Sequence, residues 1–201
     1  MATFFVSQLI SAFGKGTNKP NLTTNNTHIF TAKEILGLIE PQLCGDYFCL
    51  RNEPMEAFSE MKYEAAKSGI QLWCTSAYRD FNYQRNIWNA KYRKLVKSGF
   101  KPAKALEEIM KYTSLPGTSR HHWGTDIDLV DALSYEIENP LDEHNFKPEG
   151  EYQYLKYWLN AHAGQFGYEE VYTNAADRTG FKYEPWHYSY CLLYTSPSPR
   201  D

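Results

Sequence analysis

The sequence predicts a single α+β domain, with helices first and strands gathered around one chemically distinctive stretch. Three observations lead there. The 201 residues fit one domain with room for a substantial core, and no internal repeat or second hydrophobic core divides them. Helical patterns dominate residues 31–112, and strand-like alternation recurs at 70–76, 125–130, 168–172 and 181–188. Hydrophobic residues make up 42% and aromatic residues 16%, the composition of a globular chain rather than a disordered one. A net charge of -3 leaves no basic footprint for nucleic acid, so none is expected as a partner. No apolar run approaches the roughly 20 residues of a membrane span.

Residues 1–30 read as an arm or linker. Residues 2–13 are apolar but lack the basic start and the small-residue cleavage site of a secretory signal, and 15–30 are rich in Gly, Asn and Thr. The domain proper is expected over residues 31–190. A short helix is predicted over 31–40, because Thr31 and Glu34 have capping-box spacing and Ile35, Leu36, Leu38 and Ile39 supply an apolar face. A longer one follows over 52–68, capped by Asn52, with Pro54 in the first turn, Met55, Phe58, Met61 and Ala65 inward, and Gly69 as the stop.

Residues 70–76 alternate as a strand and give way at Ser76-Ala77-Tyr78-Arg79 to a helix over 81–98, with Trp88, Tyr92, Leu95 and Val96 on one side. Another helix is expected over 101–112, turning Ala103, Leu106, Ile109 and Met110 inward. A polar loop spans about 134–149, and a helix over 151–164 carries Leu155, Trp158, Leu159 and His162. Residues 191–201, CLLYTSPSPRD, read as the translation of a sequencing-library adapter and are expected to be a non-native tail. Cys44 and Cys49 could close a small disulfide loop in an oxidising compartment or remain half-buried thiols; without a C-x-x-C pair, a cysteine zinc site is not expected.

The distinctive stretch is SRHHWGTDID, residues 119–128. Imidazole and carboxylate are ordinary zinc ligands, and a catalytic site takes three such ligands and leaves a position open. His121 and Asp128 lie close in sequence, and the distant Glu184-Pro185-Trp186-His187 offers a third ligand. In a strand over 125–130, Asp126 and Asp128 share a face. Two carboxylates on a mostly apolar strand are costly to bury without a partner, and a metal would be one. The competing reading has both facing solvent at a sheet edge. Glu184 and His187 stand three apart, so in an ideal strand they would face opposite sides; serving one site requires a turn or bulge between them. His187 would then bind metal, while Glu184 would take a proton from water and return it to the leaving amine.

Together, Ser-x-Tyr-Arg-x-x-x-x-Gln (Ser76, Tyr78, Arg79, Gln84), Ser-x-His-x-x-Gly-x-x-x-Asp (Ser119, His121, Gly124, Asp128) and Glu-x-Trp-His (Glu184, Trp186, His187) resemble the zinc D-alanyl-D-alanine carboxypeptidase family. That family includes vancomycin-resistance D,D-carboxypeptidases and shares its fold with the hedgehog signalling domain. The motifs run in family order from Ser76 to His187.

The resemblance implies a small antiparallel sheet carrying the zinc site with helices packed around it. It implies His121, Asp128 and His187 as ligands of a zinc cofactor and Glu184 as catalytic base. Arg79 would bind substrate and steady the developing oxyanion, a task suited to its fixed fork of donors. Gln84 and Ser119 would line the pocket, with Tyr78, Trp186 and Trp123 as walls. The chain departs from the family at Asp126, where a small residue is usual; this carboxylate is expected either to orient a ligand or Arg79, or to reshape the pocket.

The implied activity is removal of the terminal D-Ala from peptidoglycan stem peptides, by a monomer working outside the cytoplasm. The alternatives are a stem-peptide endopeptidase of the phage-lysin kind, which the lack of a signal sequence favours, and a non-catalytic zinc-containing wall-binding domain, against which Glu184 and Arg79 speak.

Overall fold

The computed structural model describes residues 30–134 and 136–191. Nearly all of the expected arm and of the expected tail lies outside them. Among the described residues five helices occur in chain order: α1 (Ala32–Ile35), α2 (Asn52–Lys67), α3 (Phe81–Lys97), α4 (Pro102–Met110) and α5 (Gln153–His162). Four strands form one sheet: β1 (Leu72–Ser76), β2 (Asp126–Asp131), β3 (Tyr168–Glu170) and β4 (His187–Tyr190), ordered β1-β2-β4-β3 and antiparallel throughout. Short 3-10 turns occupy Arg120–Trp123, Glu143–Phe146 and Ala163–Phe166. The expected α+β class and antiparallel sheet are present.

The core explains the layering. Phe58, Met61 and Ala65 recur at helical spacing on α2 and pack with Leu72 and Cys74 of β1, Ile127 and Leu129 of β2, and Leu155, Trp158 and Leu159 of α5. Burial of each such large side chain contributes about 1.5–3 kcal/mol. Strand β2 is central, and residues 126–130 are buried on both faces, the carboxylates included. The edge-strand alternative for Asp126 and Asp128 therefore does not hold. The Glu143–Phe146 turn brings Phe146 against Tyr152 and Trp186, which seats Trp186 beside the site.

Five expected elements differ in detail. Helix α1 stops at Ile35, and Gly37 turns the chain with φ +68°. The capping box is present, but Ile35, Leu36, Leu38 and Ile39 are exposed; the buried residue is Glu34, paired with Arg51 at 3.2 Å. A helix this short cannot present a continuous apolar face. Helix α2 lies as expected, but its N-cap is Arg51, which makes no side-chain cap.

On α4 the buried pair is Ala105 and Ile109, not the expected Ala103, Leu106, Ile109 and Met110 set, and Leu106 and Met110 are exposed. This helix packs against α3 at the periphery, so only a narrow stripe is covered. On α3, Gln84 and Trp88 are buried, while Val96 is exposed. The strand expected over 181–188 begins only at His187. Pro185 has no N–H to give a ladder, so the preceding segment runs as a loop tied by Glu184 N–H to the Tyr172 carbonyl at 3.0 Å. Cys44 and Cys49 are free thiols in a loop already closed by the Cys44–Leu50 backbone pair.

Candidate active site

Antiparallel pairing builds the centre. Asp128 on β2 stands directly opposite His187 on β4, and Asp126 stands opposite Ser189. His121 comes from the 3-10 turn before β2. That turn ends at Gly124, whose φ of +70° starts the strand; an added Cβ would lie 2.9 Å from Leu43 Cδ2. Among the described residues, His121, Asp128 and His187 form one buried set whose donor atoms all lie within 4.8 Å of one another. His121 Nε2 is 3.5 Å from Asp128 Oδ2, and His187 Nδ1 is 3.1 Å from Asp128 Oδ1. His121 donates its Nδ1–H to the Ala77 carbonyl at 2.7 Å, which leaves the Nε2 lone pair facing the other two residues. Two imidazoles and a carboxylate of mixed type suit zinc, and three protein donors leave a position open. The residues present fit the metal.

The electrostatics match a cation site. Burial opposes ionisation of Asp126 and Asp128, yet His187 beside Asp126, and His121 and His187 beside Asp128, hold both carboxyls far below the usual range. Burial also opposes charge on His187, but hydrogen bonds to Asp126 and Asp128 push it up to about 9. His121 is lowered by burial.

Glu184 reaches the same centre through the expected turn. His187 N–H donates to the Glu184 carbonyl at 3.0 Å, and Glu184 Oε2 lies 4.0 Å from His187 Nδ1. Burial raises its carboxyl to about 7, against the opposing pull of His187, Lys91 and Arg79. A carboxyl near neutrality can both accept and return a proton.

Arg79 follows β1, just before Asp80 caps α3 by accepting from the Tyr83 N–H. Its N–H donates to the His121 carbonyl at 3.1 Å, and its own carbonyl accepts from His122 Nδ1 at 2.6 Å. The guanidinium donates to Gln84 Oε1 at 3.0 Å and lies 3.8 Å from Asp128 Oδ2, while its buried Nε has no hydrogen-bond partner among the described residues. Gln84 is in turn fixed by donating to the Ser114 carbonyl at 2.8 Å.

All of this faces a cavity of about 730 Å³. His121, Asp128, His187, Glu184, Arg79, Gln84, Ser119 and Trp186 line it, as the sequence led us to expect. Tyr78 does not. It alternates with Arg79, and the charges that act on its hydroxyl are Glu40, Asp80, Arg51 and Glu34, on the α1 side. Trp123 also stays out of the cavity, packing against Phe30 and Arg120. Asp126 lies behind His187 and does not reach the cavity lining.

Sequence reasoning missed Lys91, Tyr172 and Arg120, which do line the cavity. Lys91 lies one full helical repeat beyond Gln84, the only signal that could have found it. Its Nζ donates to Thr113 Oγ1 at 2.6 Å. Partial withdrawal from water lowers its pKa, with Glu184 opposing that effect and Arg79 adding to it. Tyr172 places its ring 4.7 Å from that of His187.

A D-alanyl-D-alanine carboxypeptidase family model matches residues 48–192. The D-alanyl-D-alanine carboxypeptidase of Enterococcus faecalis is 27% identical over 134 residues, covering 64% of this chain and 43% of the relative. That of Enterococcus faecium is 27% identical over 146 residues, covering 72% and 38%. The chain thus spans about two-fifths of the length of these curated relatives. Among solved structures, VanYB in complex with D-alanine-D-alanine superposes with a TM-score of 0.64 at 21% identity, covering 78% of this chain and 81% of that one. The VanY D,D-pentapeptidase in complex with Zn(II) gives 0.62 at 21%, covering 75% and 79%. The LdcB LD-carboxypeptidase gives 0.59 at 26%, covering 77% and 70%.

Proposed function

The chain belongs to the D-alanyl-D-alanine carboxypeptidase family, and from that membership we propose that it is a zinc peptidase removing the terminal D-Ala of peptidoglycan stem peptides. The observation that carries the reading is the buried His121, Asp128 and His187 set with the Glu184 carboxyl across it at the head of a cavity. Zinc, when bound there, supplies Lewis acidity to the scissile carbonyl and to water. Glu184 takes a proton from the water that attacks the carbonyl carbon, then passes it to the nitrogen as the C–N bond breaks, so the amine departs neutral. Arg79, held by Gln84, presents positive charge where the carbonyl oxygen gains negative charge. Trp186 and Tyr172 wall the reacting end and limit water.

Trimming from the C-terminus is favoured over an internal cut by one observation. Arg79 and Lys91 both line the cavity, and Arg79 is near enough to depress Lys91. Two cations in one pocket suit a free substrate carboxylate, which an internal cut would not present. The enzyme works as a monomer, outside the cytoplasm where its substrate lies. Among the described residues, no helix is long and apolar enough to cross a membrane.

The test is mass spectrometry of pentapeptide stems incubated with the purified chain, as free acids and as C-terminal amides. Loss of one alanine from the acid, with little turnover of the amide, is expected. Lys91→Met should raise KM for the acid about tenfold or more and leave the amide unchanged. An internal cut, or equal turnover of acid and amide, would transfer the assignment to an endopeptidase.

A further inference from the structure

His187 lies between two carboxylates, only one of which belongs to the candidate ligand set. Its Nδ1 is 3.1 Å from Asp128 Oδ1, and its Nε2 is 3.0 Å from Asp126 Oδ1. As a metal ligand His187 is a neutral imidazole with one ring proton, so in that state it can satisfy only one of these carboxylates as a donor. The choice matters. If the proton sits on Nδ1, it bonds Asp128 and withdraws two metal donors at once: the His187 lone pair and an Asp128 oxygen. If it sits on Nε2, it bonds Asp126 and leaves both donors available.

Asp126 is built to win that competition. It is fully buried, and each oxygen receives two donors. Oδ1 accepts from Arg120 Nε at 2.8 Å as well as facing His187 Nε2; Oδ2 accepts from Thr125 Oγ1 at 2.7 Å and Ser189 Oγ at 3.0 Å. Arg120 Nη2 also donates to Ser189 Oγ at 2.7 Å, so the serine relays the guanidinium to the second oxygen. The guanidinium rests over the Trp123 ring, 4.5 Å from its centroid. The charge of Asp126 is therefore compensated without any help from a metal, and its orientation is fixed from three elements: the turn carrying Arg120, β2 and β4. Buried charge with this degree of hydrogen bonding is stable; a carboxylate alone would not be.

We propose that Asp126 is a positioning residue for the metal centre. It accepts the Nε2–H of His187, selects the tautomer whose lone pair lies on Nδ1, and aims that lone pair at the point shared with His121 Nε2 and Asp128. Arg120 and Ser189 hold Asp126 in place. The inference rests on the zinc reading of His121, Asp128 and His187. It accounts for the carboxylate at the one position where the chain departs from the motif it resembles, and it assigns Arg120, at the edge of the cavity, a task in holding Asp126.

The consequence is in metal affinity rather than in chemistry alone, because only the competent tautomer binds. Zinc affinity would be measured by competition with a chromophoric chelator for the wild-type chain, Asp126→Ala and Asp126→Asn. Long-range nitrogen–proton correlation spectra would identify the protonated nitrogen of His187 in the zinc-loaded wild type. Asp126→Ala should bind zinc about 10–100-fold more weakly while remaining folded by circular dichroism. Asp126→Asn, whose amide oxygen can still accept but without charge, should fall between. The wild-type spectrum should show Nε2–H.

Zinc affinity of a folded Asp126→Ala variant within about threefold of wild type would overturn the proposal. So would a zinc-loaded wild type with Nδ1 protonated. If Asp126→Ala fails to fold, Asp126→Asn and the wild-type spectrum decide. A wild-type chain that binds no zinc would instead remove the reading beneath.

Discussion

Glu184 is held by a turn, outside any strand, and among the described residues its carboxyl accepts no hydrogen bond that keeps it ionised. Glu184→Gln keeps the shape and removes the proton carrier. It should lower kcat by about a hundredfold or more while zinc content, measured by atomic emission, stays at one per chain. Loss of zinc together with activity would make Glu184 a ligand instead. At this scale most of the site was legible. His121, Asp128, His187 and Glu184 were marked by chemically demanding residue types at short spacings, and the turn between Glu184 and His187 followed from strand geometry. Tyr78 was not legible, because membership of a motif does not say which way a side chain points. Lys91 was missed because a lysine on a helix usually faces water, and only the packing of α3 against the cavity gives it another role.

Elements were legible where their patterns were long. The α2 and α5 stripes, and the alternation of β1, are found as expected, because their apolar periodicity coincides with the core. Short apolar runs misled: residues 35–39 looked like a helical face, and the structure buries a glutamate beside them. Glu34 is lowered chiefly by the backbone N–H of Thr31, with Arg51 adding to the effect. A depressed folded pKa contributes stability above the ordinary glutamate range, lost as pH falls through the lowered value. Glu34→Gln should therefore flatten the acid limb of the stability curve.

Arg51 also donates to the Trp123 carbonyl at 2.7 Å, so it fastens α1 and the His121 turn to the start of α2. Arg51→Met should cost about 1–3 kcal/mol in urea unfolding, because it takes a donor from Glu34, which among the described residues keeps only Thr31, and another from the Trp123 carbonyl. Gly37 combines φ +68° with a Cβ position 2.5 Å from the His122 ring. Gly37→Ala should cost at least about 1–2 kcal/mol from the backbone alone. An unchanged melting point would mean that α1 is not firmly seated on the domain.

At the scale of the whole molecule, metal and fold are coupled, since the three candidate ligands join a turn to two strands that meet only in the folded state. At free zinc about a hundred times its dissociation constant, binding adds about 2.7 kcal/mol of stability, or about 5–10 °C in Tm for a domain of this size. Chelation should remove that increment and zinc should restore it; a Tm indifferent to chelator would mean the ion holds nothing together. The sheet order β1-β2-β4-β3 has a further consequence for the growing chain. Among the described residues the strand latest in sequence, β4, enters the interior of the sheet, between β2 and a β3 that has no partner until it arrives. On the ribosome, His121 and Asp128 emerge as a two-ligand half-site, and His187 follows 59 residues after Asp128. Synthesis itself thus acts as a timer: the nascent protein can neither join β3 to β2 nor assemble its proposed catalytic centre until β4 is released from the exit tunnel.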